Sequence, residues 1–186
     1  DLGDDWPPGF RNDLASAYGN RGNALQGLNQ LAEAVADYGR AIAMWVALRQ
    51  VLGETCPVYV RDNLAKTYWF RGTVLQELNR LAEVIADYGR AIEIQETLRQ
   101  VLGDNWTPGF RNDLAGAYRS RGDAFHDLNR LAEAVADYGR AIEIQETLRQ
   151  VLGDNWTPRL RNDLADAYIN RGDAFQEFNR LAEALA

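Results

Sequence analysis

At 186 residues the chain is long enough for one or two globular domains, and 46% apolar with 10% aromatic residues excludes an intrinsically disordered segment. A net charge of −7, spread as −2, −1, −2 and −2 over successive 50-residue stretches, leaves no basic face for a nucleic-acid backbone. No apolar run reaches membrane-spanning length and no signal peptide is visible, so the expected setting is cytoplasmic, without membrane or nucleic-acid partners.

From Leu31 onward one pattern recurs at a constant offset of 50. It reads LAEAVADYGRAIAMWVALRQVLG from Leu31, LAEVIADYGRAIEIQETLRQVLGDNWTPGFRNDLA from Leu81 and LAEAVADYGRAIEIQETLRQVLGDNWTPRLRNDLA from Leu131. A fixed period of this size predicts a solenoid, each unit burying its apolar face against the next. The expected organisation is a single array over 1–186, with units 1–50, 51–100 and 101–150 and a partial unit 151–186. It starts in an inter-repeat loop and stops six residues into a predicted helix, and so reads as a fragment of a longer protein.

Each unit reads as two helices. Thr107 and Thr157 are suited to N-cap the first, with Pro108 and Pro158 at the first helical position, where a missing N–H costs nothing. In unit three an apolar stripe follows at Phe110, Leu114, Tyr118, Phe125 and Leu128. Asn29, Asn79, Asn129 and Asn179 then take the left-handed conformation that ends a helix. The second helix starts near Leu31, Leu81 or Leu131 and stops at Gly53, Gly103 or Gly153. Each helix spans about 30 Å. Strand signals are absent, and the fold class is all-α.

Nineteen of the 20 bases are arginine, Lys66 being the exception, and forked guanidinium pairing predicts that many brace neighbouring repeats. The one cysteine, Cys56, aligns with Trp6, Trp106 and Trp156 and reads as a small apolar stand-in in a loop. In unit one Ala43, Trp45, Val46 and Ala47 replace the Glu93, Gln95, Glu96 and Thr97 of unit two. That helix face has turned apolar, to take either a preceding segment or a partner.

The spaced residues Tyr18, Gly22, Leu25, Ala34, Tyr38 and Ala41 resemble the signature of the tetratricopeptide repeat family. So do Tyr68, Gly72, Leu75, Tyr88 and Ala91; Tyr118, Gly122, Phe125, Ala134, Tyr138 and Ala141; and Tyr168, Gly172, Phe175 and Ala184. Glycine and alanine let helices approach closely, and the aromatics fill the space between them. The pattern departs from the family at Arg21, Arg71, Arg121 and Arg171, where leucine is usual, and the unit exceeds the usual length of about 34 residues. The resemblance implies a right-handed α-solenoid of stacked antiparallel helix hairpins, and a scaffold rather than a particular chemistry.

Differences between copies concentrate on one face of the first helix, at spacings i, i+3, i+4 and i+7. They comprise Ser16, Gly19, Asn20 and Asn23; Lys66, Trp69, Phe70, Thr73 and Gln76; Arg119, Asp123 and His126; and Asp166, Ile169 and Asp173. In the resembled family this face lines a concave groove that holds peptides or partner segments, and these residues are the candidate ligand-binding set. Variation there reflects either free drift of exposed positions or tuning to a ligand. Trp69 and Phe70 stand out, as a binding anchor or as an adjustment in packing against the next repeat.

Catalytic chemistry has no support. One histidine rules out histidine-rich metal sites; Asp123 and His126, at i and i+3, read as a solvated pair. Gly19-Asn20-Arg21-Gly22 lies within a helix and lacks the ending of a phosphate loop. No cofactor, metal or enzymatic activity is expected. The lysine–asparagine pair with which one family groove grips a carboxylate tail is missing, so binding of that kind is not expected.

The expected function is a non-enzymatic protein-interaction scaffold. Its ligand is a peptide or partner segment with an apolar anchor, set by Trp69 and Phe70, and a basic stretch, set by Asp123, Asp166 and Asp173. The alternatives are a structural array that associates end to end into a homo-oligomer, or a regulatory segment of a larger signalling protein or enzyme.

Overall fold

In the computed structural model, which describes residues 6–184, no strand occurs among the described residues and the chain is all-α. Its helices are α1 (Pro8–Gly27), α2 (Leu31–Leu52), α3 (Val58–Glu77), α4 (Leu81–Leu102), α5 (Pro108–Asp127), α6 (Leu131–Leu152) and α7 (Pro158–Ala184). One-turn 3-10 segments, Gly53–Thr55, Gly103–Asn105 and Gly153–Asn155, follow α2, α4 and α6. The chain divides into two compact units, Asp1–Leu98 and Arg99–Ala186. In the first, α1 packs on α2 and α2 on α3; in the second, α5 packs on α6 and α6 on α7. Three-residue connections such as 28–30 leave the joined helices no arrangement but antiparallel neighbours.

The turns follow from their asparagines and glycines. Asn29, Asn79 and Asn129 have φ of 59°, 56° and 58°, a conformation asparagine tolerates better than other side-chain-bearing residues. The residue after each one closes a Schellman turn, as where Gln30 N–H donates to Leu25 C=O at 2.9 Å. Gly53, Gly103 and Gly153 end the second helices at φ near +50°. Helix starts depend more on proline than on hydroxyl caps. Thr107 sits at the N-cap with Pro108 following, but its side chain makes no capping bond. The Thr157 hydroxyl accepts a long one, 3.4 Å, from Leu160 N–H.

Asn179 departs from expectation. No turn forms there, and α7 continues to Ala184. The other left-handed asparagines are held by a 22-residue second helix that buries its apolar face against the first. Residues 180–184 continue the helix instead, in register with the first helix of the hairpin.

The centre of each hairpin is a glycine–tyrosine contact. A Cβ on Gly22, Gly72 or Gly122 would lie 2.7, 2.7 or 2.8 Å from the ring of Tyr38, Tyr88 or Tyr138. Only glycine lets that ring lie against the first helix, and burying such a large side chain contributes about 1.5–3 kcal/mol. Beside each contact an arginine forks onto a buried aspartate of the same hairpin. Arg71 donates to Asp87 at 2.7 and 2.6 Å, Arg121 to Asp137 at 2.6 and 2.8 Å, and Arg21 likewise pairs with Asp37. These arginines thus brace the two helices within a repeat, not neighbouring repeats, because the turn brings residues 16 apart face to face.

The apolar face of unit one also resolves differently from expectation. Trp45 is fully buried in the core, whereas Val46 and Ala47 are half-buried and Ala43 is exposed. At the matching position Gln95 is buried too, and its Nε2 donates to Asp62 at 3.2 Å. Tryptophan and glutamine are two ways of filling one interior position.

Candidate functional site

Six of the expected ligand-binding residues come together in the first compact unit. Ser16, Gly19, Asn20 and Asn23 on α1 face Lys66 and Phe70 on α3 across a cleft of about 140 Å³. Tyr38 and Trp45 of α2 form its floor, and Asn63 completes the α3 wall. Both walls are first helices, and α2, packed against each, sets their separation.

The cleft has an aromatic interior and a polar rim. Phe70 stacks on Tyr38 with ring centroids 6.3 Å apart and an interplanar angle of 12°. The Tyr38 hydroxyl donates to Asn23 Oδ1 at 2.7 Å; burial, then the nearby Glu77 carboxylate, push its pKa up to about 12. Ser16 Oγ donates to the Asn12 carbonyl at 3.0 Å. Lys66 Nζ lies 2.8 Å from Asp62 Oδ2, which fixes the ammonium on the α3 side of the rim. Asn20 is exposed and makes no hydrogen bond among the described residues, so its amide can both donate to and accept from an incoming group.

Several remaining candidates serve packing. Trp69 is half-buried and set edge-on to Phe70 at 5.3 Å, so it backs the groove wall. Thr73 lies 3.5 Å from the Tyr88 hydroxyl, which donates to Gln76 Oε1 at 3.4 Å. In the second unit Asp123 accepts from the Tyr138 hydroxyl at 2.8 Å and from Asn170 Nδ2 at 3.0 Å. Burial raises the Asp123 pKa against the effect of those bonds and of Arg119, and it raises the Tyr138 pKa strongly. Asp123 and His126 do not form the expected solvated pair. His126 Nε2 instead lies 3.3 Å from Glu177 Oε2 on α7. Arg119 is half-buried, while Asp166, Ile169 and Asp173 on α7 are exposed.

These contacts explain much of the variation between copies. The position held by Asn23, Thr73 and Asp123 meets the buried tyrosine hydroxyl of its own repeat. The position held by Phe70 and Asn170 reaches into the preceding repeat, by ring stacking in one case and a hydrogen bond in the other. The opposite face stays constant because it is occupied. Arg121 forks onto Asp137, and Arg111 lies over the Trp106 ring at 4.7 Å, with Arg99 at 5.3 Å. Sequence comparison missed these stacks, although the constant Arg–Asp interval of 16 residues was there to be read.

Two larger depressions, of about 460 and 400 Å³, contain none of the expected residues. No group of three or more potential metal ligands occurs among the described residues. No helix among them is long and apolar enough to cross a membrane.

No curated protein sequence matches the chain. Among solved structures it is similar to the Arabidopsis OM64 TPR domain, at 22% identity and a TM-score of 0.53, over 82% of this chain and 98% of that one. It also matches the first TPR of Spaghetti (RPAP3), bound to the HSP90 peptide SRMEEVD, at 18% identity, 84% and 92% coverage and a TM-score of 0.49. MamA protein matches at 13% identity, with 92% and 95% coverage and a TM-score of 0.36. The family models for the tetratricopeptide repeat match residues 14–53, 65–98 and 115–148, more than half of the sequence. The chain belongs to the tetratricopeptide repeat family.

Proposed function

We propose that the chain is a non-catalytic interaction module that binds an extended peptide or partner segment in the cleft between α1 and α3. Membership of the tetratricopeptide repeat family supports the general role of a protein-interaction scaffold. One observation carries the finer reading: Ser16, Gly19, Asn20, Asn23, Lys66 and Phe70 line a single cleft floored by Tyr38 and Trp45. Its volume of about 140 Å³ is below the range of about 300–1,000 Å³ typical of cofactor and drug-sized sites, and matches one apolar side chain. The aromatic floor takes that anchor, and the Asn20 amide on the rim satisfies polar groups of the ligand backbone.

Peptide-library selection against the purified chain tests this reading. The selected peptides are expected to share an apolar anchor. Gly19 has nothing within 4 Å of a built Cβ, so Gly19→Arg obstructs the cleft without an internal clash and should abolish binding. Asn20→Ala should cost about 1 kcal/mol, roughly a fivefold weaker affinity. Selected peptides that bind Gly19→Arg and wild type equally would show that this cleft is not the site.

A further inference from the structure

Within the first compact unit, Val46 and Arg49 of α2 face Arg90 and Ile94 of α4 across a groove of about 400 Å³, with Leu64 and Tyr68 of α3 between them. None of these residues lines the α1–α3 cleft. The groove is bounded by three consecutive helices of one unit, so its walls and floor are complete within the chain. Repeat three contains a filled version of the same corner. Val46, Arg49 and Tyr68 align with Glu146, Arg149 and Tyr168, two repeat periods further on. There Glu146 Oε2 lies 3.5 Å from Arg149 Nη1, and the Tyr168 hydroxyl donates to Glu146 Oε1 at 3.4 Å. In the first unit a valine stands where that carboxylate would be. Arg49 is exposed and Tyr68 half-buried, and neither the guanidinium nor the hydroxyl has a hydrogen-bond or ion-pair partner among the described residues.

The two groups left over define a carboxylate ligand. A guanidinium offers its donors in a fixed fork, and the tyrosine hydroxyl adds one more. Burial raises the Tyr68 pKa, Asp87 adding to it and Arg71, Arg90 and Arg49 opposing it, so both groove cations act on this hydroxyl. Arg90 is paired with Glu93 at 2.8 Å, which leaves Arg49 as the net positive charge of the groove. The volume far exceeds a bare carboxylate and falls in the range of about 300–1,000 Å³ of sites that enclose larger groups. We propose that this groove docks an acidic segment of a partner protein, a glutamate side chain taking the place that Glu146 fills in repeat three. Its carboxylate pairs with Arg49 and accepts from the Tyr68 hydroxyl, while an adjoining aliphatic side chain packs on Val46 and Ile94. Charge complementarity selects the carboxylate. The occupant is a polypeptide because the chain itself fills the corresponding corner with a glutamate, and because room remains beside that carboxylate for a second side chain.

Two immobilised heptapeptide libraries, randomised except for a central glutamate in one and a central glutamine in the other, are the probe, and the intact chain carries a fluorescein label. Saturable retention on the glutamate library is expected, strongest where an aliphatic residue adjoins the glutamate and about tenfold weaker on the matching glutamine peptides. Val46→Glu installs the chain's own carboxylate, as at Glu96 and Glu146, and should weaken retention by a similar factor. Because the other repeats carry glutamate there, circular dichroism and thermal unfolding should show that variant intact. Arg49→Gln and Tyr68→Phe should each weaken binding about fivefold. Gly19→Arg should bind these peptides as the wild type does, which separates this groove from the α1–α3 cleft. Equal retention on the glutamine library, undiminished binding by Val46→Glu, or no retention at all would each overturn the assignment. So would a dimer of the chain alone that Val46→Glu dissociates, which makes a second copy the occupant. Displacement of the peptides by free glutarate at equal affinity overturns it too, in favour of a small carboxylate.

Discussion

Asp37 and Asp123 occupy unlike surroundings and respond to acid in opposite directions. The Arg21 hydrogen bond holds the Asp37 carboxyl below the ordinary carboxylate range, with burial opposing and Arg40 assisting. Its folded pKa is depressed, so its contribution to stability is present above the unfolded value and is lost as pH falls through the folded one. Burial raises Asp123, so its ionised form costs stability near neutrality, and that cost is recovered on acidification through the raised value. Urea midpoints measured from neutral pH into the acid range should therefore fall less steeply in Asp37→Asn than in wild type. Asp123→Asn keeps an acceptor for Tyr138 and Asn170, and should unfold at higher urea than wild type at neutral pH. The central glycines give a second contrast at this scale. In Gly72→Ala the methyl meets the Tyr88 ring at 2.7 Å, and the expected loss is about 1–3 kcal/mol. Gly172→Ala meets nothing and should gain about 0.5–1 kcal/mol from helix propensity. Equal effects of the two would contradict the glycine–tyrosine contact as the organising interaction.

At the scale of elements, the hairpins were legible because their turn residues recur with the period. Asparagine after a first helix and glycine after a second marked where each helix stops, and the structure places both at positive φ. Asn179 shows the limit of that reading, since asparagine permits a left-handed turn without requiring one and α7 runs through it to Ala184. Asn79→Gly should accordingly be tolerated and Asn79→Ala should destabilise by about 1 kcal/mol, whereas Asn179→Ala should be neutral or stabilising. Thermal unfolding of the three variants checks this. The roles of individual side chains were less legible. Phe70 aligns with Asn20, Ser120 and Asn170, and that alignment conceals its stacking on Tyr38. Trp45 looked like part of an apolar surface because the pairing of Gln95 with Asp62 inside the core cannot be read from composition. The cleft residues on α1 and α3 were identified as a set, but their variation alone did not mark a site. Part of it belongs to repeat-to-repeat packing, and the evidence for a cleft is geometric.

Across the whole molecule, burial is graded by helix type. The second helices α2, α4 and α6 each bury a tyrosine, two alanines or an alanine and a valine, and a leucine near the C-terminal end. By contrast α7 leaves Tyr168, Ile169, Phe175 and Phe178 exposed. Amide hydrogen exchange should therefore be slowest in α2, α4 and α6 and fastest, among the helices, in the C-terminal half of α7. Early exchange of α6 ahead of α7 would contradict that grading.

The glycine–tyrosine contact also bears on how the chain refolds. Three glycine seats, at residues 22, 72 and 122, are each filled by the tyrosine of the second helix in the same hairpin. Their contact residues are so alike that a helix released by partial unfolding can be accepted by a seat in another molecule. Recovery of native monomer from denaturant should therefore fall as protein concentration rises during refolding, through exchanged helices rather than disordered aggregate. Likeness between seats that are each filled in the folded chain becomes, while the chain is still assembling, a kinetic liability.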